Sequence, residues 1–409
     1  MQKIRIISVA LLAQIAVCAF AGPFTPGNIV VNRVGDGTSA LTSAATAVFL
    51  DEYTIAGVFV QTVAMPTSVS GNNRILTNSG SSTSEGFLAL SDDKKGFTAV
   101  GYDAVVGTVG VVATPVLSVN RVVGFVKADG TIDTSTNITD GYDANNIRSG
   151  TSVDGTTFWT AGTGTVAFGG VRWLMGGPGQ ISTQLSNSVV NTRIVRIFNG
   201  QLYVATGSGA FKGVNTIGTG LPTTSGQTTT LLAGFNLAVG NATSSPYEFY
   251  FTDANTLYVA DDRTVATGGG LQKYTFNGTV WNLDYTISAG LGGTSGIRGL
   301  VVKPDVNGNI VYATSTESNA NSIMTLVDTG AGSTFTVLAT APALTRFRGL
   351  AFTPEATSST ETLAPISEQI GLGTPNSGGN LASWAANDGN NRKICKFFVP
   401  FPSSPFIRV

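Results

Sequence analysis

Two stretches of this chain repeat each other fifty residues apart. One reads Arg298-Gly299-Leu300-Val301-Val302-Lys303-Pro304-Asp305, the other Arg348-Gly349-Leu350-Ala351-Phe352-Thr353-Pro354-Glu355. Glu85-Gly86-Phe87-Leu88-Ala89-Leu90-Ser91-Asp92 has the same shape. Each is a short β run closed by a turn. A second run ending in a small residue follows: Phe158 to Ala161, Leu202 to Ala205, Leu257 to Ala260 and Ile310 to Ala313, the alanines 44, 55 and 53 residues apart. Asp154-Gly155, Asn199-Gly200 and Asn307-Gly308 supply hairpin turns between the two runs. A strand-only repeat of this length points to a β-propeller with four-stranded blades. No 3.6-residue apolar period suggests a helical repeat instead.

Complete units run over 84–140, 146–188, 192–235, 245–289 and 296–341. A sixth begins at Arg346 and stops after one strand, near Pro354. The missing strands lie at the other end of the chain: Asn28–Val34 matches a second strand, and Ala47–Glu52 and Gly57–Met65 follow it. The expectation is an all-β, six-bladed propeller whose N- and C-terminal strands share the closing blade. A seven-bladed ring is the alternative, because the 84–140 unit is long.

Composition narrows the chemistry. Of 409 residues, 11% are charged and the formal net charge is −1, against roughly 25% charged for an average domain. Such a chain carries no electrostatic footprint for nucleic acid. It has no histidine, which removes histidine-based triads and histidine-ligated zinc or haem. Carboxylate chemistry, oxygen-ligated cations and pure binding remain.

Residues 1–21 read as a secretory signal peptide. Lys3 and Arg5 precede an apolar run from Ile6 to Phe20, and Ala19-Phe20-Ala21 fits cleavage before Gly22. The expected organisation is a leader over 1–21, a propeller over 22–355, and a low-complexity linker and tail over 356–409. Cleavage would remove Cys18 and leave Cys395 as the single cysteine. No transmembrane segment is expected after cleavage, and the expected location is extracellular or periplasmic.

Several phrases occur together: Phe24-Thr25-Pro26-Gly27-Asn28-Ile29-Val30-Val31, Arg33-Val34-Gly35-Asp36-Gly37, Val48-Phe49-Leu50-Asp51-Glu52-Tyr53, Asn145-Asn146-Ile147-Arg148-Ser149 and Leu257-Tyr258-Val259-Ala260-Asp261-Asp262-Arg263. Over about 24–355 the chain resembles a group of uncharacterised exported bacterial β-propeller proteins. That resemblance implies fold and export, and no activity. The Leu257 to Asp262 phrase also resembles, more weakly, NHL and gluconolactonase-type six-bladed propellers.

Propellers bind ligands at the channel mouth, where the innermost strands begin. Aligned on their turns, the repeats place Glu85, Asn146, Asn191, Arg298 and Arg348 there, with Tyr247 or Glu248 from the remaining unit. Arg148 and Arg193 lie two residues beyond Asn146 and Asn191, on the same strand face. Glu85, Asn146 and Asn191 offer the hard oxygens that calcium takes. Arg148, Arg193, Arg298 and Arg348 offer guanidinium forks for carboxylate or phosphate. The same residues could simply cap strands in a narrow channel. Asp261-Asp262 reads as a solvated turn. The leading expectation is a non-catalytic exported module that binds a surface polymer, glycan or partner protein and needs no cofactor. The alternative is a calcium-dependent hydrolase or lactonase at the channel mouth.

Overall fold

A computed structural model describes residues 22–235, 244–318 and 320–356. The expected leader with Cys18, and the tail beyond Ala356 with Cys395, lie outside the described residues. Among the described residues, no helix is long and apolar enough to cross a membrane.

Regular structure is almost entirely strand. β1 (Ile29–Val34), β2 (Ala45–Tyr53), β3 (Phe59–Ala64) and β4 (Thr77–Ser79) come first. β5 (Ala89–Leu90), β6 (Gly96–Tyr102), β7 (Arg121–Lys127) and β8 (Ile132–Ile138) follow. Four sets then each pair in chain order as a separate four-stranded sheet. The first comprises β9 (Ile147–Ser152), β10 (Thr157–Gly162), β11 (Gly170–Met175) and β12 (Thr183–Gln184). The second comprises β13 (Val195–Phe198), β14 (Gln201–Thr206), β15 (Gly213–Ile217) and β16 (Thr229–Leu231). The third comprises β17 (Pro246–Asp253), β18 (Thr256–Asp261), β19 (Gly270–Phe276) and β20 (Trp281–Ile287). The fourth comprises β21 (Ile297–Lys303), β22 (Asn309–Ser315), β23 (Ser322–Asp328) and β24 (Thr336–Thr340). β25 (Arg346–Phe352) is last, and it pairs antiparallel with β1, Ile29 opposite Phe352 and Val34 opposite Arg346.

The arrangement is all-β and propeller-like, but it does not show the six or seven separate blades expected from the repeats. Four blades stand apart as four-stranded sheets, and the remaining nine strands form one continuous sheet. Its cause is the length of β2. Val48–Tyr53 pairs with β1, while the first residues, Ala45–Ala47, run on to pair with β4. β4 in turn touches β6 through Thr77 opposite Tyr102, which welds two neighbouring sets of strands together. The extra length of the 84–140 unit, which suggested a seventh blade, belongs to the 103–120 connection between β6 and β7.

Strand faces alternate between two neighbours, so both faces are buried and the strands read as continuous apolar runs. Along β1, Val30 and Val34 join Phe97, Ala99 and Val122. Ile29 and Val31, pointing the other way, join Val301, Tyr312 and Leu350. Similar apolar clusters fill the spaces between the later sheets.

The repeated Arg-Gly-Leu phrase has a steric cause. Leu300 and Leu350 are fully buried. The glycines let inner strands approach one another. A Cβ on Gly299 would sit 2.9 Å from Arg348 O, and one on Gly349 would overlap Phe87 Cα and sit 2.8 Å from Leu88 N. Gly349 also donates its N–H to Gly86 O at 3.1 Å. Gly349→Ala is therefore expected to destabilise the ring by about 1–3 kcal/mol through overpacking against backbone. Chemical denaturation checks this; a loss below about 0.5 kcal/mol would mean that the two strands separate freely.

Candidate functional site

Residues at or just ahead of the starts of β5, β13 and β17 come together. Phe87, Ile194 and Tyr247 form a buried apolar cluster, with the Phe87 and Tyr247 rings 4.9 Å apart. Guanidiniums gather around it. Arg193 and Arg298 lie with Cζ 4.6 and 5.1 Å from the centre of the Tyr247 ring, within range of cation–π attraction.

Each charged group has a distinct environment. Asp262 accepts hydrogen bonds from Arg298 Nε at 3.0 Å and Nη2 at 2.8 Å, and lies 3.7 Å from Arg193. Arg193 also donates to Pro246 O at 2.7 Å. Arg148 donates to Asn191 Oδ1 at 2.6 Å and Thr192 O at 2.9 Å. Arg348 is 3% exposed and donates through Nη2 to the carbonyls of Ser79 and Gly80. Its Nε and Nη1 are buried without a hydrogen-bond partner, as is Nε of Arg346. Burial depresses the Arg348 guanidinium to about 9; Glu85 opposes this, and Arg346 and Arg298 add to it. It remains charged at neutral pH, and a bound anion would relieve that cost.

Glu85 is fully buried. Its Oε1 accepts from Ser79 N at 2.5 Å, and its Oε2 from Tyr102 Oη at 2.8 Å and Asn146 Nδ2 at 2.6 Å. Burial pushes this carboxyl upward, against the pull of Arg348 and of those three donors. Glu85 and Asn146 are thus bonded to each other, while Asn191 lends its oxygen to Arg148 and its Nδ2 to Ser208. Each side chain of this set is already engaged by protein groups. Among the described residues, no group of three acidic, cysteine or histidine side chains is placed to hold a metal ion.

The four arginines read from the sequence all reach this region, but their surroundings differ. Arg193 and Arg298 share Asp262, and Arg148 is engaged by Asn191. Arg348 is left with unpaired donors. Two participants were not expected. Asp261-Asp262 is not a solvated turn: Asp261 is buried beneath Arg263, and Asp262 sits between two guanidiniums. Arg346 joins the cluster from two residues before Arg348. That spacing, the one that singles out Arg148 and Arg193, was the available signal. For Asp262 no local signal exists, because its partners come from other sheets.

Arg298, Arg346 and Arg348 line a narrow cleft with Thr83, Phe87 and Glu317, where about 10 Å³ is open to the centre of a water molecule. That is room for roughly one water or one oxygen of a ligand. Arg346 also lines a neighbouring hollow of about 180 Å³ with Leu41, Ser81, Leu344 and Thr345.

No family model matches the chain, and no curated protein matches it. Solved structures similar to it include a 6-phosphogluconolactonase candidate from Bacteroides uniformis, at 12% identity and TM-score 0.43, over 77% of this chain and 83% of that one. A glucose dehydrogenase aligns at 11% identity and TM-score 0.37, over 70% and 97%. A prolyl endopeptidase aligns at 13% identity and TM-score 0.32, over 80% of this chain and half of that one.

Beside the apolar cluster, Glu248 is fully buried against Arg196 and accepts from Leu300 N at 2.9 Å. Burial pushes its carboxyl up to about 7 despite Arg196. The unfolded chain gives up this proton near the ordinary value of 4.5. The native state therefore binds more protons between the two, and stability falls as pH rises through that window. Glu248→Gln is expected to flatten this slope. Arg196→Met leaves a lone buried carboxylate and is expected to cost about 3–5 kcal/mol above pH 7, and less at pH 5, where Glu248 is protonated. Denaturation at pH 5 and pH 8 checks both; an Arg196→Met penalty independent of pH would contradict the assignment.

Proposed function

We propose that the chain is an exported, non-catalytic module that recognises an acidic surface polymer, glycan or protein at the mouth of a six-bladed propeller. The blade count follows from dividing the nine-stranded sheet at β4. One part is then β25-β1-β2-β3 and the other β5-β6-β7-β8. Six apolar clusters, one between each neighbouring pair of blades, agree with that division.

The observation that carries the reading is the charge at the mouth. Arg148, Arg193, Arg298, Arg346 and Arg348 outnumber Glu85, Asp262 and Glu317 in a chain with few charges overall. Two of those three carboxylates are already engaged. Glu85 accepts from three donors and Asp262 is held by two guanidiniums. The Phe87–Tyr247 contact narrows the channel, so a polymer would rest on the mouth and not thread through it.

The full chain is expected to bind immobilised polygalacturonate and not neutral dextran at low ionic strength, and to release as salt screens the arginines. Arg298→Gln should weaken retention. Equal retention on both matrices, or turnover of esters or lactones by the purified protein, would defeat the reading. Calcium at Glu85, Asn146 and Asn191 is the competing account, since any ligand bound only to the folded state raises the melting temperature. The melt is expected to be the same in calcium and in chelator. A calcium-dependent rise of several degrees that Glu85→Gln removes would favour the hydrolase. Export is checked separately: the mature protein recovered outside the cytoplasm is expected to begin at Gly22.

A further inference from the structure

We infer that the cleft between Arg298, Arg346 and Arg348 and the hollow beside it form a subsite for one hydroxy acid unit, its hydroxyl held in the cleft between Arg348 and Glu317 and its oxyanion held by Arg346, which lines both. This deepens the binding-module reading and rests on it for the polymer that would carry such a unit. The argument begins with unsatisfied groups. Buried polar atoms are nearly always hydrogen-bonded, and each exception costs stability. Here four such atoms belong to three residues of one cleft: Arg348 Nε, Arg348 Nη1, Arg346 Nε and Glu317 Oε2. Three are cationic donors and one is an anionic acceptor. A simple anion would satisfy the donors and repel Glu317. A cation would do the reverse. A unit bearing a carboxylate or phosphate next to a hydroxyl satisfies all four.

The remaining bonds fix the polarity of the site. Glu317 Oε1 is engaged by Ser295 Oγ at 2.5 Å, which turns the other oxygen inward. Arg348 is anchored by the carbonyls of Ser79 and Gly80, which leaves its remaining N–H groups for a ligand. Among the described residues, no ion pair joins Arg346 or Arg348 to a carboxylate. Arg298 is already committed to Asp262 and to Thr83 O, so it supplies field and not a direct contact.

Size sets the division of labour. The cleft takes about one oxygen-sized group, and the adjoining hollow of about 180 Å³ takes its carrier. Leu41 and Leu344 offer that carrier an apolar wall, and Ser81 and Thr345 offer hydroxyls. A sugar ring has the matching mixture of C–H faces and hydroxyl edges.

Titration calorimetry on the full chain at low salt tests this with galacturonate, glycerol phosphate, inorganic phosphate, acetate and cyclohexanecarboxylate. Galacturonate and glycerol phosphate separate the two sources of oxyanion. At least one is expected to bind ten-fold or more tightly than acetate and cyclohexanecarboxylate, which lack the hydroxyl. Arg346→Gln, at a partly exposed position that should leave the fold intact, is expected to weaken that ligand at least ten-fold. Glu317→Ala is expected to erase the preference for a hydroxyl. Equal binding of the hydroxylated and plain acids, or inorganic phosphate binding as tightly as glycerol phosphate, would overturn the proposal. So would Arg346→Gln binding like the parent. Polymer retention that survives Arg346→Gln and Glu317→Ala would remove this subsite while leaving the binding-module reading intact. Monomer binding without polymer retention would do the opposite.

Discussion

The pairing of β25 with β1 is the constraint on which everything else depends. Two segments from opposite ends of the described chain meet as neighbouring strands, Ile29 against Phe352 and Val34 against Arg346. A propeller sheet is twisted and short, and an open row of such sheets would expose an unpaired apolar face at each end. Joining the ends removes both faces at once. It places Ile29, Val31, Phe347 and Leu350 in one cluster with Val301 and Tyr312. Thr353 reinforces the join, donating its N–H to Asn28 O and its hydroxyl to Thr25 O.

That closure also gathers charge where the inner strands converge. Residues at or near the starts of these strands are forced toward one another. The Arg-Gly-Leu phrase serves two of these strands: leucine enters the core, glycine permits close approach, and arginine is driven inward with its neighbours. Asp262 balances two of the guanidiniums, and backbone carbonyls of Ser79 and Gly80 take part of a third. The balance is incomplete around Arg346 and Arg348. Four unpaired polar atoms on three residues of one cleft distinguish this spot from an ordinary capped strand end.

Much of the strand pattern was legible because a blade is a local object. Hairpin turns such as Asp154-Gly155 and Asn199-Gly200, and the runs ending at Ala161, Ala205, Ala260 and Ala313, lie within single units and carry their own signals. The separateness of the sheets was less legible. The extension of β2 toward β4 depends on where Thr77–Ser79 comes to rest, which no local period encodes. Asp262 failed for the same reason: a carboxylate after a strand looks like a solvated turn until two arginines from other units arrive beside it. Glu85, Asn146 and Asn191 lie four, one and four residues ahead of β5, β9 and β13. What each bonds to was decided by neighbours: Tyr102 and Ser79 for Glu85, Arg148 for Asn191.

The sequence by itself determined the class of structure. Its repeat length, turn residues and doubly apolar strands admit stacked antiparallel sheets, because those signals act between residues close along the chain. Tertiary structure alone decided which charges are spent and which remain. A guanidinium finds a carboxylate, a carbonyl or nothing according to residues far away in the sequence, and only ring closure brings Arg346 and Arg348 to Glu317 with three guanidinium nitrogens and one carboxylate oxygen left unpaired.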